Sequence, residues 1–323
     1  MRRLNVLLLP LEGLEEPWLT DMTAAIGEAH DIRILDRARP PEAQFAGVEA
    51  VIDHGGSVGT RAMMDAANEA ELWQVAGTGF DHFDLDYIKQ KGIAVSNCPG
   101  QFSSTALAET AMMLILMLAH RYREARQNFR AGICYEPMGF ELGGRTLGLL
   151  GFGASGRELA VRARAFGMRV IATDALPVEP ELVKRLGLDF VGTPDDTQRV
   201  VAESDYLSLH LHLNKTTRHL IDRPMLAQMK PGACLINVAR GALVDEEALH
   251  EVLLAGRIGG AGIDVFSREP PDPSHPVYDL TNVVSIPHIA GVTDGTSRKR
   301  AACAAENVNR IARGLEPLYR IDA

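Results

Sequence analysis

The 323-residue sequence is short of basic side chains and of long hydrophobic runs. Lys and Arg number 33 against 42 Asp and Glu, which gives a net charge of −9. A non-specific nucleic-acid binder needs a basic surface, so this balance excludes that class. The longest strongly apolar run, residues 111–119, is far shorter than the roughly 20 residues that span a bilayer, so no membrane segment is predicted.

Cysteine is also scarce. The four cysteines are widely spaced and form no CxxC pair: Cys98, Cys134, Cys234 and Cys303. Widely spaced cysteines of this kind are typically free thiols in a reducing compartment. We therefore predict a cytoplasmic protein without a disulfide framework. The apolar start ends at Pro10 and is followed by acidic residues without a cleavage site, which predicts a buried strand instead of a signal peptide.

Internal repeats and low-complexity tracts are absent, and apolar strand patterns alternate with helix patterns. Because uninterrupted apolar strands separated by helices indicate parallel sheets covered on both faces, we predict two doubly wound α/β domains. The predicted strands are residues 5–9, 31–35, 48–52, 72–76, 93–96, 146–150, 169–173, 189–191, 206–210, 233–237, 260–264 and 283–285. One long helix over 102–130 is predicted to bridge the two units, and a last helix covers 296–313.

A glycine-rich turn follows the predicted strand at 146–150. Gly151, Gly153 and Gly156 form a GxGxxG pattern, which permits a tight turn, approach of backbone to a pyrophosphate, and close helix–strand packing. Asp174 follows the next strand, 18 residues after Gly156, where an acid accepts hydrogen bonds from ribose hydroxyls and disfavours a 2′-phosphate. The pattern predicts a dinucleotide site that prefers NAD to NADP. The alternative for Asp174 is an ordinary turn residue.

Three polar residues follow predicted strands in the second half of the chain: Arg240, Glu269 and His288. Parallel strands end at one edge of their sheet, so these side chains are expected to line one crevice. A histidine exchanges protons near neutral pH, a carboxylate can orient it, and an arginine fork binds a planar anion. The set predicts chemistry on a hydroxy acid, although each residue alone is more often an ion-pair or loop residue.

Several motifs together resemble the D-isomer-specific 2-hydroxyacid dehydrogenase family over essentially the whole chain. The matching segments are 77–81, 151–156, 204–210, 229–233, 237–241, 262–270 and 287–291. The resemblance implies a Rossmann cofactor domain, residues 101–293, inserted into a flavodoxin-like substrate domain formed by 1–100 and 294–323. It also implies hydride transfer between NAD(H) and a small D-2-hydroxy acid or 2-keto acid.

The same resemblance implies roles for individual residues. His288 is the acid/base, Glu269 orients its imidazole, and Arg240 holds the substrate carboxylate and polarises the keto oxygen. The residues implied to contact the substrate are Gly77, Thr78, Gly79, Arg240 and His54. The residues implied to bind the cofactor are Gly151, Gly153, Ala154, Ser155, Gly156, Asp174, Thr105, His210, Ala239 and Asp264. No metal is expected; His212 shares a face with His210 only if their strand extends that far.

The chain departs from the family where phosphorylated substrates bind. The positions at which arginines are expected hold His54 and Gly56, which favours an unphosphorylated acid of the glyoxylate or hydroxypyruvate type. The alternatives are a phosphoglycerate dehydrogenase-like enzyme and a non-catalytic NAD(H)-sensing binding protein of the same fold. Formate dehydrogenase, a further relative, normally has an amide at the position of Glu269. The stretch 132–135 usually helps to form a dimer in the family, so a homodimer is expected.

Overall fold

The computed structural model describes residues 1–14, 16–56 and 58–322. They form two compact units: a first unit of Met1–Ser103 with Thr293–Ala323, and a second unit of Ser104–Val292. Within the described ranges, no helix combines the length and the apolar character needed to cross a membrane.

The strands and helices alternate along the chain. The strands are β1 (Asn5–Leu9), β2 (Asp31–Ile34), β3 (Ala50–Asp53), β4 (Leu72–Val75), β5 (Ala94–Ser96), β6 (Thr146–Leu150), β7 (Arg169–Thr173), β8 (Phe190–Gly192), β9 (Tyr206–Leu209), β10 (Cys234–Asn237), β11 (Gly260–Ile263) and β12 (Val283–Ser285). The helices are α1 (Trp18–Gly27), α2 (Arg61–Ala66), α3 (Leu85–Lys89), α4 (Ser104–Ala119), α5 (Tyr122–Ala131), α6 (Ala154–Ala165), α7 (Pro180–Leu186), α8 (Thr197–Glu203), α9 (Arg223–Leu226), α10 (Glu246–Leu254) and α11 (Asp294–Ile311).

The described residues of the first unit form a five-stranded, all-parallel sheet in the order β2-β1-β3-β4-β5. Alternate residues of β1 face opposite sides of the sheet, so the four residues after Asn5 are all apolar and buried. Leu8 packs into a cluster that includes residues of α1 and α11, whereas Leu7 and Leu9 pack with Trp73 on the other side. The last helix of the chain therefore covers the sheet formed by the chain's beginning.

The described residues of the second unit form a seven-stranded, all-parallel sheet in the order β12-β11-β10-β9-β6-β7-β8. The strand order changes direction between the neighbours β6 and β9, and open α/β sheets bind ligands in the crevice beyond such a switch point. The glycine turn follows β6 directly, and His210 follows β9. The prediction of two doubly wound α/β sheets is confirmed, and the twelve predicted strands lie within two residues of the observed ones.

The predicted single helix over 102–130 is wrong. The chain breaks between α4 and α5 at Arg121, whose φ of 49° lies in the left-handed region. The two helices have different surroundings, because α4 is largely buried and α5 has no buried residue among those described. The N–H of Phe140 donates to the carbonyl of Ala119 at 2.8 Å, which satisfies a backbone group that the helix end exposes.

Candidate active site

The glycine turn after β6 contains two glycines that close packing requires and a third that has free space beside it. Gly151 has a φ of 95°, and a Cβ there would overlap the carbonyl of His210. A Cβ on Gly156 would overlap the carbonyl of Gly151, so this glycine lets helix and strand approach closely. A Cβ on Gly153 would meet nothing within 4 Å, which leaves the turn open to a ligand.

The start of α6 and Asp174 complete this region. No side chain caps the helix at Gly153, so the positive end of the helix dipole is available to an anion. Asp174 accepts from the N–H of Phe152 at 2.6 Å and from the N–H of Leu176 at 2.9 Å. These contacts place a carboxylate beside the glycine turn. The open glycine, the uncapped helix and this carboxylate fit a dinucleotide.

His210 joins the glycine turn to the neighbouring strand. Its Nδ1 lies 2.9 Å from Oγ of Ser155, and its Nε2 lies 3.0 Å from Oγ of Ser208. Burial lowers the pKa of His210 to about 4, so the ring is neutral at pH 7, with one nitrogen donating and the other accepting. β9 ends at Leu209, and His212 beyond it is exposed. The sequence does not predict the contact between Ser208 and His210, because that contact depends on how the His210 ring is oriented.

His288 and Glu269 are hydrogen-bonded to each other at the strand ends of this sheet. Nδ1 of His288 lies 2.7 Å from Oε2 of Glu269, and the other carboxylate oxygen accepts from the N–H of Phe266 at 3.1 Å. Burial raises the pKa of Glu269, but the hydrogen bond and charge of His288, together with the charge of Arg240, outweigh it and lower the pKa overall. An ionised carboxylate only accepts, so Nδ1 carries the proton.

Arg240 follows β10 and is held by short-range contacts. Nδ2 of Asn237 donates to the carbonyl of Arg240 at 2.9 Å, and Nη1 of Arg240 donates to the carbonyl of Ala239 at 2.8 Å. The next residue, Gly241, packs directly on the backbone of Phe266, where a Cβ would overlap the carbonyl carbon. The structure therefore brings the segments that carry Arg240 and Glu269 together.

Asp264 holds the loop that carries His288. Its carboxylate accepts from the N–H of Ile289 at 2.6 Å and from the N–H of Ala290, and its carbonyl accepts from the N–H of His288 at 2.7 Å. The Asp264 side chain is fully buried, which raises the pKa of its carboxyl. Because His288 has a φ of 53°, this clamp fixes a backbone conformation that is otherwise unfavourable.

The loop after β4 carries the three predicted carboxylate contacts of the first unit. Gly77 packs against the backbone at Gly55, where a Cβ would lie 3.2 Å from Cα. Nδ2 of Asn97 donates to the carbonyl of Thr78 at 2.9 Å, and Oγ1 of Thr78 lies 3.4 Å from Oγ of Ser103. These contacts fix the loop, and Thr78 and Gly79 stay partly exposed.

The remaining predicted residues have varied surroundings. His54 is fully buried in the first unit, and neither of its ring nitrogens has a hydrogen-bond partner among the described residues. Thr105 is partly buried in the first turn of α4, which packs against α6. His82 is exposed.

The sheet and its site define an α/β dinucleotide-binding oxidoreductase, and comparisons with known proteins give its family. Residues 112–290 match the family model described as "D-isomer specific 2-hydroxyacid dehydrogenase, NAD binding domain". A hydroxypyruvate reductase of Thermotoga maritima is 39% identical over 256 residues, which cover 78% of this chain and 81% of that protein. A glyoxylate reductase of Korarchaeum cryptofilum is 36% identical over 261 residues, covering 79% of this chain and 77% of that protein.

Two further proteins extend the comparison. A D-3-phosphoglycerate dehydrogenase of Methanocaldococcus jannaschii is 34% identical over 268 residues, but these cover only 50% of that protein against 82% of this chain. The crystal structure of a D-lactate dehydrogenase from Aquifex aeolicus, complexed with NAD and lactic acid, superposes with a TM-score of 0.83 at 27% identity and 99% coverage of both chains. The chain belongs to the D-isomer specific 2-hydroxyacid dehydrogenase family. It is an NAD-dependent oxidoreductase of 2-hydroxy acids.

Proposed function

We propose that this chain uses NADH to reduce a small, unphosphorylated 2-keto acid of the hydroxypyruvate or glyoxylate type to the D-2-hydroxy acid. The observation that carries the proposal is the 2.7 Å contact between His288 and Glu269, with the charge of Arg240 acting on the same carboxylate. The relatives named hydroxypyruvate reductase and glyoxylate reductase support this substrate class.

The proposed chemistry divides between proton transfer and charge stabilisation. NADH, when bound, supplies the hydride to the keto carbon. His288 donates the proton from Nε2 to the keto oxygen, because its Nδ1–H is engaged by Glu269. The carboxylate of Glu269 stabilises the protonated imidazole, and Arg240 holds the substrate carboxylate and polarises the keto oxygen.

We assign NAD to one domain, and we assign substrate contacts to both domains. Residues 101–293 bind NAD through the glycine turn, with Asp174 accepting from the ribose hydroxyls; His210, Thr105, Ala239 and Asp264 support that site. Residues 1–100 with 294–323 form the substrate domain. There the backbone N–H groups of the loop formed by Gly77, Thr78 and Gly79 bind the substrate carboxylate, and we also assign His54 to the substrate.

Two alternative functions differ from this proposal. A phosphoglycerate dehydrogenase-like activity is supported by a relative of that name, but the positions expected to hold arginines carry His54 and Gly56. A protein that senses NAD(H) without catalysis would bind NADH and turn over no keto acid.

The deciding experiment is NADH oxidation with a panel of hydroxypyruvate, glyoxylate, pyruvate and 3-phosphohydroxypyruvate. We expect steady turnover, with the first two as the preferred substrates. His288→Ala should lower turnover by about 10²- to 10⁴-fold, the usual contribution of a general acid, and leave NADH affinity nearly unchanged. NADH binding without turnover on any member of the panel would refute the enzymatic function, and preference for the phosphorylated acid would support the phosphoglycerate alternative.

We further propose a cytoplasmic homodimer. The helix α5 and the stretch after it expose large apolar side chains, including Phe129 at 75% and Tyr135 at 103% of full exposure. Apolar patches of this kind are typical of subunit interfaces. The four cysteines are free, as in a reducing compartment. Sedimentation equilibrium should give twice the mass of the chain, and Phe129→Asp should yield monomers; a wild-type monomer would contradict the dimer.

A further inference from the structure

Arg300 lies next to the loop that we assign to the substrate carboxylate, although no sequence motif points to it. It is partly buried on α11, and its Nη2 lies 3.5 Å from Oγ1 of Thr78. Its guanidinium carbon lies 5.6 Å from the centre of the Trp18 ring, within cation–π range. The side chain is thus held in one place between a polar and an aromatic contact, and its charge lies beside Thr78.

His54 extends the same cluster. Its ring meets the ring of Trp18 edge to face, with centroids 6.4 Å apart. Burial, together with the charge of Arg300, lowers the pKa of His54 to about 4, so the imidazole is neutral at pH 7. The buried ring keeps an N–H that no described residue accepts. Arg300 therefore contributes the positive charge of this cluster, and His54 contributes none.

We propose that Arg300 is a specificity-determining residue that recognises the substrate carboxylate at the loop of Gly77, Thr78 and Gly79. The inference rests on the proposed function, which assigns that loop to the carboxylate. Because Asn97 and Ser103 fix Thr78, the guanidinium and the backbone N–H groups keep a constant spacing. A guanidinium pairs with a carboxylate and gains little from a neutral amide, so Arg300, in addition to Arg240, favours charged 2-keto acids over neutral 2-keto amides.

The test compares an acid with its neutral amide. In the full-length enzyme with NADH, Arg300→Met should raise KM for pyruvate about tenfold or more, the usual effect of losing a charged hydrogen bond, and change kcat little. The preference for pyruvate over pyruvamide should fall by a similar factor. Arg300→Lys should restore part of that preference, since it keeps the charge and loses the fork. Lys299→Met, an exposed cation on the same helix, is the matched control and should change neither value.

Three outcomes would overturn the assignment: an unchanged KM in Arg300→Met, an equal rise for pyruvate and pyruvamide, or an equal effect of Lys299→Met. If Arg300→Met does not fold, Arg300→Gln and Arg300→Lys provide the same comparison. If the wild type reduces no 2-keto acid, the proposed function fails on its own. Calorimetric titration of the NADH complex with pyruvate and pyruvamide then still decides whether Arg300 recognises the carboxylate.

Discussion

His288 combines an unfavourable backbone with a well-defined side-chain partner. A positive φ in a non-glycine residue costs roughly 1–3 kcal/mol and persists only where its surroundings impose it. Here Asp264 imposes it by accepting from the backbone N–H groups of the two residues that follow. The hydrogen bonds that Asp264 accepts from the main chain therefore fix the position of the imidazole, and its contact with Glu269 fixes the orientation of the ring.

Glu269→Gln should separate charge from hydrogen bonding in this pair. The amide oxygen still accepts from Nδ1 of His288, but it does not stabilise a protonated ring. Because reduction requires a proton on the ring, we expect kcat/KM for keto-acid reduction to be lower than in the wild type at neutral pH and to fall at a lower pH as the pH is raised. The pH–rate profile is the measurement. Glu247→Gln, an exposed carboxylate at the start of α10, is the control; matching profiles for both variants and the wild type would refute the role of Glu269.

Among the elements, the contact between the turn after β10 and the loop after β11 brings together the segments that carry two of the three candidate catalytic residues, Arg240 and Glu269. These segments are separate in sequence, and they meet because Gly241 has no side chain. Nearby, Glu246 at the start of α10 accepts from the N–H of Ser267 at 2.6 Å, which ties the helix to the loop that carries Glu269.

Gly241→Ala should therefore damage both stability and activity. Its Cβ would overlap the Phe266 carbonyl, and overpacking of this kind typically costs about 1–3 kcal/mol of unfolding free energy. Gly232→Ala is the matched control, since a Cβ there meets nothing within 4 Å, and it should change stability by at most about 0.5 kcal/mol. Urea denaturation and kcat/KM measure the two effects. Equal stability of the two variants would show that the close approach is not required.

Over the whole molecule, each unit contains a histidine that is neutral at pH 7: the fully buried His54 in the first and the partly buried His210 in the second. Burial is the main cause that lowers the pKa of each histidine to about 4, from an ordinary value of about 6.5. Between these values the unfolded chain binds more protons than the folded one. Both histidines therefore stabilise the fold above pH 6.5, and their contribution is lost as the pH falls towards 4.

Acidification from pH 7 to pH 4 should lower the melting temperature, and His210→Gln should flatten that dependence. Each unit of pKa difference is worth about 1.4 kcal/mol. His212→Gln, which changes an exposed histidine two residues away, should leave the dependence unchanged. Calorimetric melting temperatures of the three proteins across this range decide, and parallel curves for wild type and His210→Gln would contradict the prediction.

The net charge of −9 argues against a nucleic-acid surface, but it does not prevent the binding of a small anion. Anion binding depends on local groups, and here Arg300, beside Thr78, and the uncapped start of α6 supply them. The positions of a few hydrogen-bond donors and charged side chains thus identify the class of partner better than the net charge of the whole chain does.

The sequence by itself determined the alternation of apolar strands and helices, the glycine turn with Asp174, and the order of the three candidate catalytic residues. These features are local, because strand periodicity and turn chemistry are written over a few neighbouring residues. The family resemblance implied that the last helix belongs with the chain's beginning, but only the tertiary structure decided the break at Arg121 and the contacts by which α11 covers the first sheet. It alone placed Arg300 beside Thr78. Such features depend on contacts between residues far apart in sequence, which no local pattern records.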